Sequence, residues 1–266
     1  MNGNPNMRTV NRVPNHSLLL RDNMKHKITI MKLKHAVLTT ILTVATVAFS
    51  MAQSLDEVIS KHLDAMGGAD NLRKVHSLVM KGNINQGGTK IPITISAVQK
   101  KAFRVEFSFN GMTGYQILTD TAGWGFNPFM GQTKPEPMTQ DEVKKSQDQL
   151  DLLDELLDYQ DKGTTLQDLG TDDVEGTECY KIKATLKNGK ERTLYISKED
   201  YLTIRSTEKT EINGKELEAT TDFSNYKKVG DVLMPFSVNN SVQGPVDIDT
   251  IEINPTIDEA IFKPQG

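Results

Sequence analysis

The chain has 266 residues, a formal net charge of −4 and one cysteine, which excludes an intrachain disulfide. Seven of the 31 basic residues but only one of the 35 acidic residues precede Gln53, so residues 53–266 are strongly acidic. That balance argues against a nucleic-acid-binding protein and against electrostatic binding to anionic lipid. Residues 53–266 are long enough for one domain with a sizeable core.

Residues 31–52 have the three parts of an export signal. Lys32 and Lys34 supply the positive region, residues 36–49 form an uncharged apolar run, and Ser50 and Ala52 are the small residues that precede a cleavage site. The run is shorter than the roughly 20 apolar residues that a membrane-spanning helix needs. The sequence therefore predicts a signal peptide that is cleaved after Ala52, and export of the chain.

The thirty residues before this signal are polar, rich in Asn and Arg, and without periodicity. Such a composition predicts a disordered extension over residues 1–30. Because a signal peptide works from the extreme N-terminus, we expect translation to start at Met31 or Met24.

The first element after the signal is a helix. Apolar residues recur at helical spacing at Leu55, Val58, Ile59, Leu63 and Met66, and Gly67 and Gly68 end the pattern. From Ser77 the period changes to two, and the turn signals "NQGG", "NGMTG", "KNGK" and "INGKE" separate the alternating runs. About ten strands result. The predicted fold class is α+β and mostly β, with a barrel or a strongly curved antiparallel sheet.

A polar and leucine-rich segment interrupts the strands at residues 139–163. It predicts one continuous helix, with Leu150, Leu153, Leu156 and Leu157 on one face. Five acidic residues occupy the rest of that helix and are typical of a solvated outer surface: Asp148, Asp151, Asp154, Glu155 and Asp158.

The residues after Ala52 carry no recognisable catalytic motif. Their histidines are His62 and His76, whose spacing matches no zinc site, and no nucleophile elbow, P-loop or dinucleotide fingerprint is present. The sequence therefore predicts a protein that is not an enzyme, with no metal and no cofactor.

The apolar residues of the strands and of the leucine-rich helix have two interpretations. They are core packing, or they line an apolar cavity that the helix covers. For the second case the candidate lining residues are Ile93, Ile95, Phe103, Val105, Phe107, Phe109, Trp124, Phe126, Leu153, Leu156, Leu157 and Phe236.

Residues 115–132, "YQILTDTAGWGFNPFMGQ", resemble a segment of the LolA/LolB-like family of outer-membrane lipoprotein-sorting proteins. In that segment an apolar strand reaches an Asp-containing turn, and a Trp, an aromatic residue and Asn-Pro-Phe follow. The matching residues here are Asp120, Trp124, Phe126, Asn127, Pro128 and Phe129. "HLDAMGGADNLRKVHSL", "DFSNYKKVGDVLMPFSV" and "IDEAIFKPQ" are also similar to that family, so the resemblance spans nearly all of residues 53–266.

The resemblance implies an unclosed half-barrel with helices across its mouth, which holds lipoprotein acyl chains between sheet and helices. It further implies a monomer that an inner-membrane complex loads and an outer-membrane acceptor unloads. The family's lid is held by an arginine, and Lys100 and Lys101 occupy the matching stretch. Lysine cannot make the same bidentate contact, whereas Arg104 falls among outward-facing residues by alternation.

The sequence thus predicts a periplasmic carrier of lipoprotein or lipid acyl chains. The alternative is a periplasmic lipid-sensing regulator of similar fold that acts through a protein partner.

Overall fold

The structure is a computed structural model that describes residues 55–212 and 215–265. The predicted extension at 1–30, the signal peptide at 31–52 and the cleavage site after Ala52 lie outside the described residues. No helix in the described ranges is both long and apolar enough to span a bilayer.

Thirteen strands form one antiparallel sheet in the order β6-β5-β4-β3-β2-β1-β13-β12-β11-β10-β9-β8-β7. Their bounds are β1 Ser77–Gln86, β2 Thr89–Val98, β3 Ala102–Phe109, β4 Met112–Thr119, β5 Gly123–Phe126, β6 Glu136–Pro137, β7 Thr165–Val174, β8 Thr177–Thr185, β9 Glu191–Ser197, β10 Thr203–Ile212, β11 Lys215–Val229, β12 Val232–Asn240 and β13 Gly244–Ile253. The predicted mostly-β, unclosed and curved antiparallel sheet is confirmed. The prediction of about ten strands was too low, because short strands such as β5 and β6 carry little alternation.

Tight turns connect most neighbouring strands. At the β3–β4 turn, Asn110 and Gly111 have φ values of 49° and 77°, which is the backbone conformation that Asn-Gly favours in two-residue hairpins. The strands on either side of "KNGK" pair as predicted, with Thr185 opposite Glu191.

The sheet has two edges. One is β6, the exposed dipeptide Glu136–Pro137, and the other is β7, whose pattern is exposed at almost every position. β7 carries Asp168, Asp172 and Asp173. Since β6 and β7 do not pair, the sheet is not closed.

Helices make up a small part of the structure. Helix α1 spans residues 55–65, α2 is Ala69–Leu72 and α3 is Gln140–Ser146. α3 starts with a capping box in which Thr139 and Glu142 bond each other's backbone N–H. Single 3₁₀ turns lie at Pro128–Met130, Gln147–Leu150 and Glu259–Phe262. The predicted continuous helix at 139–163 is therefore corrected to α3, a 3₁₀ turn and irregular turns.

The register assigns side chains to two faces, which we call the cover face and the tail face. The cover face carries Leu78, which is opposite Ala97, and Phe103, which is opposite both Ala97 and Leu118. α1, α2 and residues 147–163 pack on this face. The tail face carries Arg104 and Ile117, which are paired.

The C-terminal segment, residues 255–265, packs on the tail face. Phe262 is 5% exposed and lies in one apolar cluster with Ala102, Tyr115 and Ile117. Arg104 donates to the Ile261 carbonyl at 2.8 Å. The prediction that Arg104 faces outward to water is wrong: its side chain is 4% exposed, because the C-terminal segment covers it.

Candidate functional site

The candidate site lies beneath residues 147–163, which we call the cover. The cover begins with the 3₁₀ turn Gln147–Leu150 and continues in turns to Gly163. Asp151 accepts a hydrogen bond from the Leu153 N–H, and Asp154 accepts one from the Leu156 N–H, at 3.2 and 2.8 Å. Such local side-chain bonds compete with helical backbone bonds, and this accounts for the absence of the predicted helix.

Two leucines anchor the cover to different parts of the core. Leu156 is buried against Val58 and Ile182, and Leu157 is buried against Met66 and Val232. These neighbouring residues point into separate clusters, whereas a straight helix would present both to one partner. Each is a fully buried aliphatic side chain, worth about 1.5–3 kcal/mol of apolar burial.

Charge pairs surround these anchors. Each of the five acidic residues of the predicted outer surface contacts a basic side chain. The pairs are Asp148–Lys190 at 2.8 Å, Asp151–Lys162 at 3.0 Å, Asp154–His62 at 2.9 Å, Asp158–Arg73 at 2.7 Å, and Glu155–Arg192. The prediction of a solvated acidic face is therefore corrected. Four of these carboxylates attach the cover to α1, to the end of α2, to the β8–β9 turn and to β9, while Asp151 pairs with Lys162 within the cover.

The β2–β3 turn holds the start of the cover. Gln99 donates to Asp151 at 2.7 Å and accepts from the Leu152 N–H at 2.6 Å. The backbone N–H of Lys100 donates to the Leu150 carbonyl at 2.8 Å. Lys100 and Lys101, the candidates for holding the lid, lie at this turn, and both side chains are exposed. Lys100 lines the cavity, and the side chain at this turn that hydrogen-bonds the cover is that of Gln99.

A cavity of about 910 Å³ lies between the cover and strands β9–β12. Most of its wall is apolar. Its apolar lining consists of Met66, Leu72, Val75, Leu150, Leu152, Leu153, Leu186, Leu194, Phe223, Tyr226, Val232, Met234 and Pro235. A cavity of this size and character falls in the range of small-molecule and lipid sites, about 300–1,000 Å³.

The cavity also has a charged wall centred on Arg192. The guanidinium contacts Glu155, and it contacts Glu208 at 2.7 Å and Asp148 at 3.5 Å. Burial lowers the pKa of Arg192, but the three carboxylates outweigh it and hold that pKa above its usual value. Burial raises the pKa of Glu155, an effect that Arg192 only partly offsets. A ligand in the cavity would therefore meet charged side chains at this wall.

Of the predicted lining residues, those in the cover lie at or beside the cavity. Leu153 lines it, while Leu156 and Leu157 anchor the cover around it. Phe236 belongs to the apolar cluster that also contains the cavity residues Val232 and Met66.

The predicted residues of β2 and β3 share the cover face but lie in the other half of the sheet. These are Ile93, Ile95, Phe103, Val105, Phe107 and Phe109, and none of them lines the cavity. Phe103 packs beneath α3 with Val143 and Leu150. Phe109 is 37% exposed, and its ring centroid lies 6.3 Å from that of Phe129.

Trp124 and Phe126 lie on the tail face. The register places them opposite Ile117 and Tyr115, in the cluster that the C-terminal segment covers. Their position is a correction to the predicted aromatic wall, because the alternation of β5 puts Gly123 and Gly125 on the cover face instead. Sequence reasoning missed the lining by Phe223, Tyr226 and Leu194; their alternating strands were visible, but their pairing partners were not.

Exposed apolar side chains concentrate at one end of the sheet, which we call the hairpin end. Of the six exposed large apolar side chains among the described residues, five lie within three residues of a turn at this end: Phe109, Met112, Met130, Leu217 and Val242. Because neighbouring strands are antiparallel, the β3–β4 and β12–β13 turns lie at this end, together with the paired ends of β10 and β11, where Ile212 is opposite Lys215. So does the β8–β9 turn, whose Leu186 and Asn188 line the cavity.

No protein-family model and no curated protein sequence matches the chain. Among solved structures it is similar to a candidate outer membrane lipoprotein-sorting protein domain from Vibrio parahaemolyticus, at 12% identity and a TM-score of 0.45, over 77% of this chain and 94% of that one. It is similar to a LolA superfamily protein from Nitrosomonas europaea at 10% identity and a TM-score of 0.47, over 78% and 96%.

A third similar structure is MucB in the Pseudomonas aeruginosa MucA/MucB complex, at 12% identity and a TM-score of 0.28, over 78% of this chain and 62% of that one. At these values the comparisons describe architecture and assign no activity. The chain is similar to solved structures described as lipoprotein-sorting and LolA superfamily proteins, the family that its sequence motifs resemble.

Proposed function

We propose that the protein is a periplasmic carrier that binds the acyl chains of lipoproteins, or of other lipids, in the cavity beneath the cover and sorts them to the outer membrane. The observation that carries this proposal is the cavity of about 910 Å³ with its mostly apolar wall. Each methylene group buried there contributes about 0.8 kcal/mol to binding, so an acyl chain of ordinary length gains enough to leave water.

The attachment of the cover supports a carrier in particular. A carrier must release what it binds, so its cavity needs a wall that can move. Here one wall is a segment of turns held by ion pairs at its margins and by Leu156 and Leu157 at its centre. No step of this function requires a covalent reaction or a cofactor.

The hairpin end supports a docking role for this carrier. Its exposed apolar side chains and the cavity residues of the β8–β9 turn lie at the same end of the sheet. An inner-membrane complex or an outer-membrane acceptor that met this end would meet the cavity as well. The lipid-sensing regulator remains the alternative, and the protein partner it needs would use the same surface.

The first experiment identifies the cargo. The protein is purified without detergent from its periplasm, and co-purifying lipids and lipoproteins are measured by mass spectrometry. We expect acyl-bearing molecules in near-stoichiometric amounts. Absence of any acyl-bearing molecule would contradict the proposal, and recovery of a membrane-bound regulatory protein in their place would support the regulator.

A matched pair of variants then locates the cargo. Phe223→Glu places a charge on the cavity wall, and we expect it to weaken binding of a fluorescent fatty-acid probe at least tenfold, because burying an unpaired charge is costly. Phe109→Glu makes the same change on an exposed residue outside the cavity and is expected to bind as the parent does. Equal loss in both variants, or in neither, would contradict this location.

A further inference from the structure

His62 joins three parts of the molecule at the margin of the cavity. It lies on α1, and its side chain is fully buried. Its Nδ1 is 2.7 Å from the carbonyl oxygen of Tyr201 in the β9–β10 turn, and its Nε2 is 2.9 Å from Asp154 Oδ2 in the cover. The imidazole ring therefore links the cover to α1 and to the sheet.

Both neighbours of the ring are hydrogen-bond acceptors. A neutral imidazole has one N–H, so whichever nitrogen lacks the proton would present a lone pair to an oxygen within 3 Å. Only the doubly protonated ring donates to both Tyr201 and Asp154. Two proton arrangements fit this geometry: a charged His62 opposite an ionised Asp154, and a neutral ring that donates from Nδ1 to Tyr201 and accepts from a protonated Asp154. The raised pKa of His62 and the lowered pKa of Asp154 favour the ion pair.

The other charged groups around this pair have partners of their own. Lys162 donates to the Asp154 carbonyl at 2.7 Å and pairs with Asp151, while Glu155 pairs with Arg192. The elements around His62 carry further titratable groups: Asp56, Glu57, Lys61 and Asp64 on α1, Asp148, Asp151, Glu155, Asp158, Tyr159, Asp161 and Lys162 in the cover, Lys198, Glu199, Asp200 and Tyr201 in the β9–β10 turn, and Tyr226 on β11. The carboxylate that contacts the ring is that of Asp154.

The ionisation of the pair follows from these surroundings. Burial alone lowers the pKa of His62, but the charge of Asp154 and the hydrogen bonds to Asp154 and Tyr201 outweigh it and raise that pKa above its ordinary value. Burial likewise favours a neutral Asp154, but His62 prevails and holds the pKa of Asp154 below its usual range.

These directions fix the pH window of the contact. A histidine whose pKa is raised in the closed state contributes fully below its ordinary pKa of about 6.5 and loses its contribution as pH rises through the raised value. Asp154, whose pKa is lowered, loses its contribution only in strong acid, as pH falls through its own lowered pKa. Near neutral pH, therefore, the contact is weakened by a rise in pH and not by a small fall.

We propose that the His62–Asp154 pair is a proton-operated latch: the cover is held over the cavity while His62 is protonated, and it opens as His62 loses that proton. On deprotonation, the proton leaves to solvent and one ring nitrogen faces an oxygen without a hydrogen between them. The cavity is then exposed at its cover side. The identity of the molecule that enters or leaves the cavity rests on the proposed function, whereas the opening of the cover does not.

The test measures opening directly. Backbone hydrogen exchange of residues 148–163 is followed between pH 6 and 9 and corrected for intrinsic exchange, and the His62 ring is titrated by NMR in the same samples. We expect the corrected opening to rise by up to about tenfold per pH unit between about 6.5 and the pKa of the closed state. Opening that does not change with pH would overturn the proposal.

The two histidines of the described ranges provide a matched control. His62→Gln should abolish the pH dependence of cover exchange, while His76→Gln, at an exposed position, should keep it. Asp154→Asn tests the same contact from the other side and should also flatten the pH dependence. With two such variants, the test can still be made if one of them does not fold. Persistence of the pH dependence in both latch variants would overturn the proposal.

A fatty-acid probe separates this inference from the proposed function. If cover exchange follows pH but no probe binds at any pH, the latch stands and the carrier function fails. If the probe binds while cover exchange is the same at pH 6 and pH 9, the carrier function stands and the latch fails.

Discussion

The C-terminal segment and the cover lie on opposite faces of one sheet and are attached by different forces. The C-terminal segment lies over apolar side chains, and Phe262 is buried there with Ile117 and Tyr115. The cover has three buried leucines, Leu150, Leu156 and Leu157, but charge pairs and a cavity surround them. From this contrast we expect the C-terminal segment to behave as a fixed part of the core and the cover to open more readily.

The largest expected effect is on the C-terminal segment. Phe262→Ala removes a side chain that is 5% exposed from its cluster, and such a deletion costs about 3–5 kcal/mol because a cavity remains. Urea unfolding should show this as a lower midpoint with an unchanged slope. Met130→Ala, at a residue that is 80% exposed, is the control and should leave the midpoint nearly unchanged. A loss below about 1 kcal/mol in the Phe262 variant would contradict a fixed segment.

The second effect is on the charged wall of the cover. Arg192→Met leaves Asp148, Glu155 and Glu208 without their shared guanidinium. We expect a loss of about 2 kcal/mol, less than for a fully buried pair because the side chain is partly exposed. Hydrogen exchange should increase in residues 148–163 in particular.

Arg205→Met is the matched control for that variant. Arg205 also contacts two carboxylates, those of Asp222 and Glu175. It directly precedes the cover-face residue Ser206 on β10, so its side chain lies on the opposite face of the sheet from the cover. Its substitution should lower stability without increasing exchange in the cover. Equal exchange of the cover in both arginine variants would show that its attachment depends on overall stability alone.

The smallest expected effect is at the exposed margin of the cover. Arg73 contacts Asp158 through two nitrogens at 2.7 and 2.9 Å, yet about half of its side chain is exposed. Arg73→Gln should therefore cost no more than about 1 kcal/mol, and the difference should vanish in 1 M salt. Lys74→Gln is the neighbouring control. A larger loss that survives high salt would mean that this pair is a principal anchor.

The two regions also differ in how much of them the sequence predicts. Alternation and Asn-Gly turns predict the hairpins well, since a strand that buries one face repeats with period two. They do not reveal which strand of a thirteen-stranded sheet lies under the cover. The cavity was therefore predicted at the aromatic residues of β3 and β5, whereas Phe223 and Leu194 are among the residues that line it.

The cover was mispredicted for a local reason. Its leucines and acidic residues fit a helical period, but Asp151 and Asp154 bond their own backbone two residues on. Long-range partners such as His62 and Arg192 then hold these carboxylates. Neither interaction leaves a periodic signature, so the pattern alone favours a solvated helix over a segment attached by its charges.

The edges of the sheet have a consequence for the protein at high concentration. A half-barrel offers unpaired N–H and C=O groups on both flanks, which can recruit a strand from another molecule. β6 is only two residues long, and one of them is Pro137, which has no backbone N–H to donate. β7 carries three aspartates along an exposed strand. A second copy that paired with β7 would bring these like charges close together, so we expect the open sheet to resist edge-to-edge association.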